Sequence, residues 1–420
     1  MKRFLFIKLH IVNLFCFILF FIDSMFHIGR HIGSVDILRP LLMFFLLLSC
    51  LNFFLKNKGF YSSFYTQIII IYYMFLIISY FRAIIFNQNM EIANEFILYY
   101  IYLFFFPVLI NSIRTKKELF FVLHAVLLLG TFISLLCLTL VVTDMLNVSI
   151  VKNIFTFLED YNLGFLLGRS NGFLRFISTS VTVQVMAYFF SIYFLLSKKK
   201  IFYSLFIIIN ILAIFITFTR GLWLGVAAGT VFLILKYSLS NFQSSRKLFL
   251  LTFLVFILLV ISIIKLNQFN SGFFLYAIER LKVDSATKAS DNFRLEMLHL
   301  LNELIGRHIL IGNGAGAHIN LRTGRTEMSF HDIASKIGML GLIVFLLPFI
   351  VMLFEKNVKT KYFEFRLLQI CVLSALLSLV VATNTNPYFI TSFGLFLYCL
   401  CMRIYSYRRF PISGFNLEAN

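Results

Sequence analysis

Charge is scarce in this chain, and acidic charge is scarcest. Asp, Glu, Lys and Arg make up 13% of 420 residues, with 18 acidic against 37 basic. A globular domain usually carries about 25% charged residues, so a water-soluble surface of ordinary kind is excluded. Cysteines are few, and none of the six (Cys16, Cys50, Cys137, Cys371, Cys399, Cys401) stands in a CxxC spacing. All lie in apolar blocks, which reads as small buried hydrophobes rather than metal or redox ligands. The start, Met1-Lys2-Arg3 and an apolar run, lacks a clear small-x-small cleavage site. More apolar blocks follow, so it reads as an uncleaved first helix. Internal repeats are missing, and so is any low-complexity tract beyond the apolar runs.

What is abundant is apolar: 60% of the chain, with 55 Phe. A helix needs about 20 mostly apolar residues to cross a hydrocarbon layer of ~30 Å. Apolar blocks lie at 9–28, 36–55, 65–86, 95–111, 119–143, 173–196, 201–219, 221–237, 248–266, 332–354, 366–383 and 387–405. The stretch 201–237 is too long for one span and divides at Thr217-Phe218-Thr219-Arg220-Gly221. The expected fold is all-α, a polytopic transmembrane helix bundle of about 12 spans. Nine spans fall in 1–266, a long loop in 267–331, and three spans with a tail in 332–420.

With the N-terminus inside and the spans alternating, every inside segment is basic, as the positive-inside rule requires. The inside segments hold 21 of the 37 basic residues, 14 Lys and 7 Arg. An even number of spans puts the basic C-terminus inside as well. Topology therefore accounts for the net charge of +19, and nucleic acid is not needed as a partner. The other 16 basic residues reverse the ratio, 11 Arg to 5 Lys. Lys suffices as a topology charge, whereas the planar fork of Arg grips phosphate through two bonds. The outer Arg set points either to an anionic ligand such as a phosphate or pyrophosphate, or to chance and ordinary salt bridges.

Five polar constellations fall on the outer side. Thr217-Phe218-Thr219-Arg220-Gly221 closes a span. Arg220 between two apolar helices is costly and marks function, or it snorkels to headgroups; Gly221 permits the sharp turn. In the long loop, Ser290-Asp291-Asn292 offers an N-cap to an amphipathic helix over 293–305, with apolar positions 293, 297, 300, 301 and 304 on one face. This helix lies at the membrane surface or caps the bundle. Arg294 falls in its first turn, where anions are favoured, or is simply solvated. Gly312-Asn313-Gly314-Ala315-Gly316-Ala317-His318 resembles a phosphate loop but lacks a following Lys-Ser/Thr, and reads better as a flexible turn.

The fourth constellation is Glu327-Met328-Ser329-Phe330-His331-Asp332, where His331 opens the next span. A His beside a carboxylate serves as acid, base or proton shuttle, or the group is a polar cap. Glu327 shares a face with His331 if the helix starts early. Two ligands without a third do not make a metal site. In Thr383-Asn384-Thr385-Asn386-Pro387-Tyr388, Asn386 binds sugar hydroxyls or makes the turn.

These elements, in this order, resemble the bacterial O-antigen polymerases and O-antigen ligases. That family carries Thr-x-[Ser/Thr]-Arg-Gly at the end of a span, an Arg opening a loop helix, a Gly-x-Gly-x-Gly turn, and a His before Gly-x-x-Gly. The matching residues are Thr217 to Gly221, Arg294, Gly312/Gly314/Gly316, His331 and Gly338/Gly341, within about residues 210–350. Asp332 departs from the Asn that often follows the His.

The resemblance implies a GT-C-like bundle in a bacterial inner membrane, with cytoplasmic termini and a periplasmic loop and active site. It implies glycosyl transfer from undecaprenyl-pyrophosphate-linked oligosaccharide. The lipid-linked donor supplies the energy, so no nucleotide, metal or cofactor is expected. Arg220 and Arg294 would hold the pyrophosphate, with Arg169, Arg322 and Arg325 as weaker contributors to the same site. His331 would orient or deprotonate the acceptor hydroxyl, or neutralise charge; Glu327 and Asn386 would bind substrate. The implied partners are membrane lipid, a chain-length regulator and a flippase. The Phe-His-Asp form at His331 favours a polymerase, joining the growing chain to a lipid-linked repeat unit, over a ligase to lipid A-core. A flippase or exporter would carry ionisable residues deep in the bundle; Asp23 and Arg82 come nearest, and most charges sit at span ends.

Overall fold

The computed structural model describes residues 13, 16–22, 38–56, 63–145, 167–170, 173–176, 181–238, 285–321, 326–355, 363–383, 386–408 and 410–414. The expected ninth span at 248–266, Asp23, Arg322 and Arg325 lie outside these residues, as does most of the expected first span.

The described chain is almost wholly helical. In order come α1 (Leu38–Lys56), α2 (Phe64–Ile85), α3 (Met90–Tyr100), a 3-10 turn (Ile101–Phe104), α4 (Phe105–Ser112) and α5 (Lys116–Met145). The antiparallel strands β1 (Leu167–Ser170) and β2 (Phe173–Phe176) follow, pairing Arg169 with Leu174 and Gly168 with Arg175. Then come α6 (Val181–Lys198), α7 (Phe202–Ile216), α8 (Arg220–Ser238), α9 (Ser285–Arg307), α10 (Ser329–Phe354), α11 (Phe363–Ala382) and α12 (Ser392–Tyr405).

Among the described residues, seven helical stretches are long and apolar enough to cross a membrane, and α7, α12 and the 40–51 part of α1 are shorter apolar helices. The sixth expected span starts late. Residues 173–176 are β2, and the helix begins only at Val181. The apolar run there does not distinguish strand from helix, because Phe and Leu suit both.

Apolar side chains face both inward and outward. Met74, Ile77, Phe81 and Ile85 form an exposed row on α2, and Leu224, Val231 and Leu235 another on α8. In water such rows would be unfavourable; against lipid tails they are ordinary surface. The interior holds aromatic pairs, with Phe20 against Phe105, Phe393 and Phe396, and Phe345 against Tyr72, Phe389 and Tyr398. All six cysteines are buried and free.

Small residues set the closest packing. Gly225 and Gly229 of α8 lie against the backbone and side chains of Ser374, Ser378 and Ala382 on α11, leaving no room for a Cβ. Spacing of four puts each row on one helix face, the small-xxx-small arrangement of membrane helices. This antiparallel contact brings the start of α8, with Arg220, beside the end of α11.

The two ends of the bundle differ in chemistry. At one end Lys116 and Lys198 both pair with Glu364, Lys236 donates to the carbonyl of Leu353, and Arg403 donates to the carbonyls of Ile113 and Phe410. At the other lie the starts of α8, α10 and α12, the ends of α2 and α11, and all of α9.

Candidate functional site

The α7–α8 turn presents Arg220. Phe218 takes the left-handed backbone, φ 50°, and is itself buried. Such strain in a non-glycine residue costs on the order of 1–3 kcal/mol and persists only where its surroundings enforce it. Here Trp223 stacks on Phe215 at 4.8 Å and donates to the carbonyls of Ile214 and Phe215, while Thr217 donates to Ile214. The turn thus rests on Phe218. Gly221, expected to permit it, is helical and buried in α8.

Arg220 Nη2 donates to Asp291 Oδ1 of α9 at 2.9 Å across 71 positions of sequence. Arg294 Nη1 donates to the same oxygen at 3.3 Å, and Arg294 Nε donates to Glu327 Oε2 at 3.0 Å. Two guanidiniums and two carboxylates from three segments therefore form one partly exposed cluster. From sequence, Asp291 is only part of a helix cap. Its bridging role has no local signature, because it depends on α8 lying alongside.

Two sequence expectations change. Arg294 is not in the first turn of its helix. α9 begins at Ser285, more than two turns earlier, so the helix N-terminus contributes nothing to an anion beside Arg294. Ala286, Lys288 and Ala289 are good helix formers and carry the helix upstream of the supposed cap. Nor do Glu327 and His331 share a helical face: α10 begins at Ser329, and Glu327 precedes it to reach Arg294.

His331 is half-buried in the first turn of α10, and Phe330 beside it meets Phe389 of the α11–α12 connection at 6.4 Å. One residue on, Asp332 is buried and accepts from Lys336 Nζ at 3.1 Å; the Lys336 ammonium also lies 4.7 Å over the Phe96 ring. Neither partner was singled out from sequence as an ion pair, although their i,i+4 spacing is a usable signal.

The glycine-rich segment is not a flexible turn. Residues 312–317 are buried, and they mend a break in α10. Gly338, at φ 80° and ψ 170°, interrupts that helix. The carbonyl of Ser335 is taken by the backbone and side-chain amides of Asn313, and that of Lys336 by Gly314 N and Ser79 Oγ. Beyond the break, Met339 N and Leu340 N donate to the carbonyls of Ile309 and Leu310. Irregular backbone at a helix break is tolerated where its polar groups find such partners. Gly312 and Gly338 pass so closely that a Cβ on either would strike the other segment's backbone. Gln88 donates to the Asn313 carbonyl at 2.7 Å and Ala315 to the Ser79 carbonyl at 3.0 Å, tying the segment to α2 and to the α2–α3 turn.

The remaining expected residues are less engaged. Arg169 lies on β1, and no described contact joins that hairpin to the arginine cluster. Arg322 and Arg325 lie outside the described residues. Asn386 shapes the turn after α11, its N–H donating to Ala382 and its carbonyl accepting from Tyr388. Arg82 lies in the last turn of α2 over the Phe86 ring, with its Nε and Nη2 buried. An open cleft is lined by Asn87, Gln88, Asn89, Arg307, His308 and His318, with Phe86 and Leu304 among others. It lies about 20 Å along α9 from Arg294 by helix rise. Among the described residues, no three His, Cys, Asp or Glu side chains are grouped to hold a metal.

Fold and site together define a class: an almost wholly helical bundle, compatible with a multi-pass membrane protein, carrying a paired-arginine cluster at one end. Comparison with protein-family models, curated proteins and solved structures finds no match.

Proposed function

We propose that the protein is a membrane glycosyltransferase that polymerises surface polysaccharide, moving a growing glycan from undecaprenyl pyrophosphate to a lipid-linked repeat unit at the outer face of a bacterial inner membrane. The observation that carries this reading is the convergence of Arg220 and Arg294 on one carboxylate oxygen. Two guanidinium forks that share one oxyanion can share the oxygens of a diphosphate.

The acceptor hydroxyl attacks the anomeric carbon of the donor. The C–O bond to pyrophosphate breaks, and its electron pair leaves with the phosphate oxygen. Arg220 and Arg294 stabilise that charge by prepositioned donors. His331 orients the acceptor hydroxyl or takes its proton. Glu327 holds Arg294 through Nε, which leaves its outer edge for the ligand. The ordered motifs and the Arg-rich side of the topology support the same reading, and the Phe-His-Asp element favours polymerase over ligase.

Export of a lipid-linked oligosaccharide is the second reading, because broken helices and buried charges mark transporters. Against it, the groups freed at the α10 break bond to the glycine-rich segment rather than to a cavity.

The test is deletion followed by gel analysis of surface polysaccharide. Loss of a polymerase yields core plus a single repeat. Loss of a ligase yields bare core with lipid-linked polymer accumulating. Arg220→Ala and His331→Ala are expected to reproduce the deletion with normal membrane insertion; full-length polymer in both would sink the assignment.

A further inference from the structure

Among the described residues the arginine cluster is electrically balanced. Arg220 and Arg294 bring two positive charges, and Asp291 and Glu327 two negative ones. A multiply charged anion is weakly attracted to a balanced cluster unless a carboxylate withdraws.

The two carboxylates are not equivalent. Glu327 accepts from Nε of Arg294, on the side edge of the guanidinium. Asp291 accepts from the terminal nitrogens of both arginines on a single oxygen, the position a bridging phosphate oxygen would take. It is also the member most open to water: its side chain is 40% exposed, against 28% for Glu327 and 25% for Arg294. Contacts this exposed are individually weak, so turning the carboxylate into solvent costs little.

We propose that Asp291 is an exchangeable internal ligand of the site. Its carboxylate aligns the two guanidiniums, then gives way to the diphosphate of the incoming lipid, while Glu327 stays and keeps Arg294 oriented. This rests on the anion-binding reading of the arginine pair.

The experiment titrates detergent-purified full-length protein with farnesyl pyrophosphate by calorimetry, with inorganic pyrophosphate in parallel. The proteins are wild type, Asp291→Asn, Asp291→Ser, Glu327→Gln and Arg220→Ala. Exchange predicts that both Asp291 variants bind roughly three- to tenfold more tightly than wild type, the scale of one or two exposed ion pairs. Glu327→Gln is expected to bind more weakly. The same ratios with both titrants would mean that the diphosphate alone is read; a ratio seen only with the lipid adds the chain as a determinant. Equal or weaker binding by the Asp291 variants, with thermal melting unchanged, overturns exchange and leaves Asp291 a fixed orienter. If one Asp291 variant fails to fold, the other decides. Wild-type affinity in Arg220→Ala, or no binding in any protein, removes the anion-binding reading, and exchange falls with it.

Discussion

Lys336 and Asp332 face each other at 3.1 Å with side chains only 2% and 7% exposed, one turn apart in α10. A buried pair of this kind gains little over apolar packing, but breaking it leaves an uncompensated charge. Lys336→Ala or Asp332→Ala is therefore expected to cost about 3–5 kcal/mol. Asp332→Leu with Lys336→Met is expected to recover most of that. Thermal melting in detergent measures all three; single variants as stable as wild type would mean the pair is solvated.

Gly338 is the second sensitive point. Its backbone lies in a region open essentially to glycine, and a Cβ would strike the Leu310 carbonyl. Gly338→Ala is expected to destabilise by about 3 kcal/mol or more, conformational strain adding to the clash. Limited proteolysis of the 309–314 segment reads the effect, since that segment bonds to the break. Unchanged protection would show that α10 can close into a regular helix.

Arg220→Lys separates charge from geometry. It keeps the positive charge but loses the fork. Polymer yield is expected to fall about tenfold, the scale of one charged hydrogen bond, and Arg220→Ala further. Gel densitometry distinguishes them. Lysine performing like arginine would leave only a topology charge at this position.

Sidedness has a direct test, helped by the burial of all six native cysteines. His308→Cys and Lys199→Cys each replace an exposed residue, at the arginine end and the lysine end. On intact cells, a membrane-impermeant maleimide is expected to label His308→Cys at once and Lys199→Cys only after permeabilisation. The reverse pattern would put the arginine cluster in the cytoplasm and rule out an outward-facing transferase.

Sequence alone determined the apolar helices, because crossing hydrocarbon demands a run of apolar residues that few other structures need. Seven described helical stretches at the expected spans are long and apolar enough to cross a membrane, and three more are shorter apolar helices; the ninth expected span and most of the first lie outside the described residues. It also isolated Arg220, Arg294, Glu327 and His331, since charge in so apolar a chain is conspicuous. Three things were decided only by tertiary structure. Asp291 bridges the arginines because tertiary packing sets the start of α8 against α9, 71 positions away in sequence. The glycine-rich segment is a buried mend for α10 rather than a flexible turn, because Gly338 opens backbone groups that need partners. The α7–α8 turn rests on Phe218, which no propensity favours in that backbone, because Trp223 and Phe215 enforce it. Local patterns report the solvent a segment meets. Which distant groups it meets depends on helix packing, and there the position of a small residue counts for more than its frequency.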